Sequence, residues 1–251
     1  MKNIILIGSG NVATHLGLSL YKHGYKIKQV WSQKLINAEI LAKKLNSKPT
    51  NNIEQIEEAD LYIMSIKDDA VESMLEKLYL NNIIHTSGSI GIEVFNNKLL
   101  NYGVLYPLQT FNKDVKLNLS KTPICIEASN KHFEKELLKI GNKMSEKAII
   151  INSEQRKQLH IAAVFCCNFT NYLFSISEKI LTKANSDFKL LIPLINQTVE
   201  KISNFKPSEV QTGPANRKDK KIIQHHIDII KDKQAREIYK LLSNAIMKNS
   251  E

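Results

Sequence analysis

The sequence predicts an α/β chain in two parts, a doubly wound, mainly parallel sheet followed by an all-α region. Three observations lead there. Short apolar runs alternate with amphipathic stretches as far as Asn152, which is the signature of a parallel sheet with helices on both faces. A strand, a glycine turn and a helix start meet within the first thirteen residues. After Asn152 no strand pattern occurs and the helical period takes over. The expected domains are therefore 1–152 and 153–251.

Strands are expected at Asn3–Ile7, Ile27–Trp31, Leu61–Ser65, Ile83–His85, Gly103–Leu105, Pro123–Glu127 and Lys147–Ile151. Between them, helices are expected at Asn11–His23, Ile36–Leu45, Asp69–Leu78, Ile90–Asn96 and Lys131–Met144. Gly24 stands where a helix C′ residue is wanted, behind Lys22 and His23, whose cations suit the dipole end. In the second part, Ser153–Lys183 reads as one long helix capped by Ser153 or Asn152. Phe188–Asn204 follows, with Pro193 marking a kink or the true first turn. Asp219–Lys231 and Lys233–Lys248 complete the series.

Gly8-Ser9-Gly10-Asn11-Val12-Ala13 is a G-x-G-x-x-A motif in the right context, after a strand and before a helix. The first glycine permits a tight turn and the second lets a pyrophosphate approach the backbone. The small third position lets helix and strand pack closely. The helix N-terminus offers free N–H groups to an anion. The first part is thus expected to be a Rossmann domain holding NAD or NADP. An NAD site usually carries an acid at the end of the second strand, on the ribose hydroxyl. Here that strand ends in Trp31-Ser32-Gln33-Lys34, and no acid lies between Gly24 and Ala38. NADP is therefore expected, with NAD possible and Ser32, Gln33 and Lys34 toward the 2′-phosphate. Ser65 and Ile66, at the end of the expected strand Leu61–Ser65, are expected on the cofactor too.

Three more segments carry polar groups at strand ends or turns. In His85-Thr86-Ser87-Gly88-Ser89, Ser87 can approach a nicotinamide, or the run is a turn with Ser89 capping a helix. In Tyr106-Pro107-Leu108-Gln109-Thr110-Phe111, Gln109 can orient a carbonyl or carboxylate. In Thr212-Gly213-Pro214-Ala215-Asn216-Arg217-Lys218-Asp219, Asp219 caps the next helix, and Asn216 and Arg217 are candidate substrate contacts. On the long helix, His160, Val164, Asn168 and Asn171 recur at i, i+4, i+8 and i+11, one face. Apolar residues surround them, so that helix is expected to be buried. His160 is a candidate proton donor, and Asn168 and Asn171 candidates to polarise a carbonyl.

Composition narrows the partners. The net charge is +10, yet of the basic residues only three are arginines against 32 lysines, spread along the whole chain. Arginine is the better reader of bases, so a nucleic-acid partner is not expected, whereas an anionic small substrate is. No uninterrupted run reaches the roughly 18 apolar residues of a membrane span. The three cysteines, Cys125, Cys166 and Cys167, have no metal spacing, so no metal is expected and a cytoplasmic setting is.

Gly8–Ala13, His85–Ser89, Tyr106–Phe111, His160–Asn171 and Thr212–Asp219 together resemble a group of bacterial Rossmann-like proteins whose helical C-terminal domain has no assigned function. The group is similar to pyrroline-5-carboxylate reductases, the 6-phosphogluconate dehydrogenase superfamily and deazaflavin-dependent NADP reductases. The resemblance implies a 6-phosphogluconate dehydrogenase-like helical domain that mediates homodimerisation, and a site in the cleft between domains. It also implies NAD(P)H-dependent reduction of a small carbonyl or imine compound. Some members of the group are thought to reduce ketopantoate, the leading substrate expectation. Relatives often carry His where this chain has Tyr106, and no role is expected for that side chain. Conventional ketopantoate reductases use a helix Lys with an Asn; His160 stands where that Lys would be sought. A nucleotide-binding regulator without turnover is the alternative reading.

Overall fold

The computed structural model describes residues 1–78, 80–96 and 99–249. They form two compact units, Met1–Asn168 and Phe169–Glu251. The first is built on an eight-stranded sheet: β1 Asn3–Ile7, β2 Lys26–Trp31, β3 Lys48–Thr50, β4 Leu61–Met64, β5 Ile83–His85, β6 Tyr102–Pro107, β7 Ile124–Ala128 and β8 Ala148–Ile150. The spatial order is β3-β2-β1-β4-β5-β6-β7-β8. Strand order reverses direction between β1 and β4, which opens a crevice at their carboxyl ends. Neighbours are parallel except β6 and β7, which are antiparallel; β7 and β8 are parallel to each other.

The helices of this unit are α1 Asn11–Lys22, α2 Leu35–Leu45, α3 Val71–Leu75, α4 Lys131–Met144 and α5 Ser153–Ala163. One face of the sheet is covered by α1, α2 and α4, through Leu16, Leu20, Leu41, Phe133 and Leu137 against Ile4, Leu6, Ile63 and Ile126. Residues of α3 and its flanks, among them Val71 and Leu78, cover Ile5, Ile7 and Tyr62 on the other. Ala13 is fully buried, so the small third position of the glycine motif is used for helix-to-strand packing. Gly24 has φ +83° after the first helix, as its position suggests.

Several expectations need correction. Lys48–Thr50 is a strand at the sheet edge, where Pro49 can be tolerated because one side needs no donor. Asp69–Leu78 contains only a short 3₁₀ turn, Asp68–Ala70, and one α-turn and a half in α3. Ile90–Asn96 is a 3₁₀ turn, Ile92–Phe95, with Gly91 at its N-cap; Ser89 caps nothing. The division into the two compact units falls within the long helix, and the start of α5 is fastened to the sheet. Asn152 forms a capping box with Gln155, and Ser153 and Arg156 bind Glu127 of β7.

The second unit is helical. It contains α6 Thr170–Lys183, α7 Ile192–Asn204, α8 Lys220–Ile229 and α9 Lys233–Asn249. Pro193 sits in the first turn of α7, behind a 3₁₀ turn at Phe188–Leu191. Asp219 caps α8 by accepting from the Ile222 N–H, as expected. His226 and Tyr239 join α8 to α9 through a 2.8 Å hydrogen bond.

The helical run Ser153–Lys183 is continuous, but not buried. An 18-residue window of it has mean hydropathy 1.4 and none of that window is buried. Phe165, Phe169 and Tyr172 are 64%, 51% and 41% exposed. By length and composition alone the run could also cross a membrane, although His160, Asn168 and Asn171 interrupt it.

Candidate active site

A cleft of about 1240 Å3 opens over the carboxyl ends of β1, β2, β4, β5 and β6 and lies wholly within the first unit. One end is the glycine loop. Gly8 has φ +122°, and a Cβ there would sit 2.2 Å from the Ser65 carbonyl oxygen, so only glycine fits. Gly10 is different. A Cβ on Gly10 would meet no protein atom within 4 Å, so nothing in the fold itself demands glycine there. The room it leaves opens at the N-terminus of α1, where a pyrophosphate would approach the free N–H groups. The residues present therefore fit a dinucleotide.

Gly8, Ser9, Gly10, Asn11, Val12, Ser32, Gln33, Ser65, Ile66 and Ser87 all line this cleft. Lys34 and Ala13 do not; Lys34 is the N-cap residue of α2 and Ala13 is core. Several lining side chains are already engaged: Ser9 donates to the Ser32 hydroxyl at 2.9 Å and Thr86 to that of Ser65 at 3.1 Å. Asn11 donates from Nδ2 to the Phe111 carbonyl and accepts from the Lys113 N–H, so it clamps the 111–113 loop. Ser87 donates to Asp68 and accepts from the Ser89 and Ile90 N–H groups, which fixes the loop after β5. The cleft is also lined by Lys44, Lys67, Lys77 and Lys113 against one acid, Asp68. Sequence reading missed these lysines because they lie on four different segments.

The other end carries His160, Asn168, Gln109 and Tyr106. His160 and Asn168 are eight residues apart, and on a pure α-helix they would point about 80° apart. Between them Val164–Phe169 is a π-turn. Its i→i+5 bonding winds each residue through a smaller angle and brings Asn168 back toward the face of His160. Asn171, Asn216 and Arg217 belong to the second unit and are not among the residues lining the cleft. Gln109 is exposed, with Oε1 bonded to the Thr110 N–H at 2.8 Å and Nε2 left only a long contact to Thr122.

His160 is held by two neighbours, on a helix that is itself anchored. Its Nδ1 lies 3.0 Å from the Tyr106 hydroxyl, and the two rings meet edge to face. Gly88 presses on the same edge of the imidazole: a Cβ there would lie 2.7 Å from Cγ and Nδ1. Four residues earlier, Arg156 is completely buried. Its guanidinium pairs with Glu127 and donates to the Ile90 carbonyl, tying α5 both to β7 and to the loop after β5. Burial pushes the Tyr106 hydroxyl up to about 12 and the neighbouring Cys125 thiol up to about 11. His85, beneath the same loop, stacks on Phe95 and accepts from the Ser87 N–H at Nδ1. Burial, and then the charge of Arg156, hold its pKa down near about 3.

Residues 3–94 match the family profile of NADP oxidoreductases, coenzyme F420-dependent, and residues 122–246 match a domain of unknown function, DUF2520. A Bacteroides fragilis protein described as an NADP oxidoreductase is 37% identical; the match covers 98% of each chain, with a TM-score of 0.92. A Thermotoga maritima protein matches at 20% identity over 98% of each chain, with a TM-score of 0.70. The pyrroline-5-carboxylate reductase of Streptococcus pyogenes matches at 16% identity over 99% of this chain and 96% of its own, with a TM-score of 0.62. The last two likenesses carry the fold alone. No curated protein matches.

Proposed function

Because the chain belongs to the NADP oxidoreductase family that includes the Bacteroides fragilis protein, we propose that it is an NADPH-dependent reductase of a small anionic carbonyl or imine compound. One observation carries the reading. A single cleft joins a dinucleotide cradle to a cluster of hydrogen-bonding side chains, with four lysines and one acid on its walls. Such a lining suits a phosphorylated cofactor and a carboxylate substrate. NADPH, when bound, supplies the hydride. The chain supplies the rest. Gly8 and Gly10 admit the pyrophosphate, with Ser32 and Gln33 toward the adenosine ribose. His160 and Asn168 face the reacting group as hydrogen-bond donors. A 2-oxo acid, ketopantoate included, is the first substrate class to test.

The exposed apolar side chains of the long helix and of α7, with Leu194 and Val199 at 64% and 56%, support a homodimer through the C-terminal helices. Three free cysteines support a cytoplasmic setting.

The test is NADPH oxidation with a panel of 2-oxo acids and cyclic imines. His160→Ala and Asn168→Ala should each lower turnover by about 10²-fold. Near-normal turnover in both would sink the site assignment. Tight NADPH binding with no turnover on any substrate would favour the nucleotide-binding regulator.

A further inference from the structure

Tyr106 and His160, 54 residues apart in the chain, meet as a hydrogen-bonded pair. The Tyr106 hydroxyl is buried beside Nδ1 of His160, and among the described residues it has no other hydrogen-bond partner. At neutral pH it keeps its proton, because burial raises its pKa. Its one acceptor among the described residues is Nδ1. Gly88 packs on the Cγ–Nδ1 edge of the same ring, so that edge is closed. The opposite edge, with Nε2, has no hydrogen-bond partner among the described residues and belongs to a side chain that lines the cleft.

We propose that Tyr106 is a positioning residue: it donates to Nδ1, holds neutral His160 as the Nε2–H tautomer, and so selects a substrate whose reacting atom accepts a hydrogen bond, a carbonyl oxygen rather than a protonated imine. An imidazole with Nδ1 occupied as acceptor must carry its own proton on Nε2. That N–H meets a carbonyl lone pair productively, whereas it would oppose the N–H of an iminium. As hydride reaches the carbonyl carbon, the C=O π pair moves to oxygen and the nicotinamide is oxidised. The Nε2–H bond stays intact and stabilises the new charge. The proton that completes the alcohol comes from water in the open cleft, the hydroxide left behind is neutralised by the bulk solvent, and both side chains finish unchanged. The carbonyl half rests on the reductase reading above; the tautomer half does not.

The tautomer is read by two-dimensional 15N–1H spectra of the full chain with 15N-labelled histidine, at about pH 9, where ordinary imidazoles are neutral. His160→Gln assigns the signal. The expected result is a single Nε2–H form in which Nδ1 shows the shift of a hydrogen-bond acceptor. Tyr106→Phe should abolish that shift and let the Nδ1–H form appear. An Nδ1–H form in the unmodified protein, or an identical spectrum in Tyr106→Phe, would overturn the proposal. The unmodified protein alone can refute it, so a misfolded variant does not rescue it. For the substrate half, a 2-oxo acid and a cyclic imine are compared with NADPH. The 2-oxo acid should have kcat/KM at least about tenfold higher, and Tyr106→Phe should narrow that ratio chiefly through kcat. Equal or reversed preference overturns the carbonyl assignment. No turnover of either would overturn it together with the reductase reading, while the spectrum still decides the tautomer.

Discussion

Acid should loosen the first unit through His85. This side chain is 1% exposed, stacks on Phe95 and faces the charge of Arg156, so it folds as the neutral form with a pKa near about 3. In the unfolded chain it returns to the usual value near 6.5. Because the folded pKa lies below the unfolded one, the unfolded chain binds the proton first. His85 therefore contributes its full stability above about pH 6.5 and loses it progressively as pH falls toward about 3. At about pH 5 the unfolded side chain is charged and the folded one is not, a difference of about 1.5 pH units, or roughly 2 kcal/mol. Urea unfolding can be followed through Trp31, the one tryptophan of the chain, which lies on β2 of the same unit. The comparison is His85→Asn, whose side-chain oxygen can still accept from the Ser87 N–H. This variant is less stable at both pH values because it loses the stacking. The decisive quantity is the change between about pH 7.5 and pH 5, which should be smaller in the variant by about 2 kcal/mol. If both proteins lose the same stability over that range, His85 is not the acid-sensitive group.

Three further perturbations follow from the structure. Gly8→Ala meets the Ser65 carbonyl and a forbidden φ, and should cost about 1–3 kcal/mol and weaken NADPH at least tenfold. Gly10→Ser should leave the thermal midpoint unchanged within error, because nothing stands near that position and Ser is a good N-cap, yet weaken NADPH by about tenfold or more as its Oγ enters the phosphate space. Fluorescence titration of NADPH beside a thermal scan separates the two; equal loss of stability in both would count against the reading of Gly10. Arg156→Met strips Glu127 of its buried partner and should cost about 3–5 kcal/mol by urea unfolding. A change under about 1 kcal/mol would show that the pair does not fasten α5.

What the chain reveals by inspection is local. The β1–turn–α1 unit was readable because its glycines, apolar alternation and helix period lie within twenty residues. Asn152 and Asp219 were readable as caps for the same reason. Lys48–Thr50 was not, since three residues containing Pro49 and a lysine carry no strand period. The apolar surround of His160 predicts burial, and the structure leaves that face exposed: the pattern records an apolar helix, not what packs on it. Tyr106 and His160 are 54 residues apart, and their contact depends on where two strands and a helix place them. Asn11 looked like a phosphate-loop residue and also clamps a loop a hundred positions later. A six-residue π-turn leaves no mark in an apolar run, although it decides that Asn168, rather than Asn171, shares the cleft with His160.

The reversed direction of β7 and β8 has a consequence for where chemistry can be placed. Six strands point their carboxyl ends at the cofactor cleft, and a seventh and eighth in the same sense would release the chain at that edge, so the next helix would carry its residues away. Instead β8 runs downward, from the level of Pro107 to that of Leu105. The helix that follows must climb. It starts beside Glu127, which pairs with Val104, and about 10 Å later, seven residues up at 1.5 Å each, it brings His160 into hydrogen-bond contact with Tyr106. Two strands turned the other way thus make the sheet's far side a ramp, and the residue at the top of the ramp is returned to the cleft that the other six strands open.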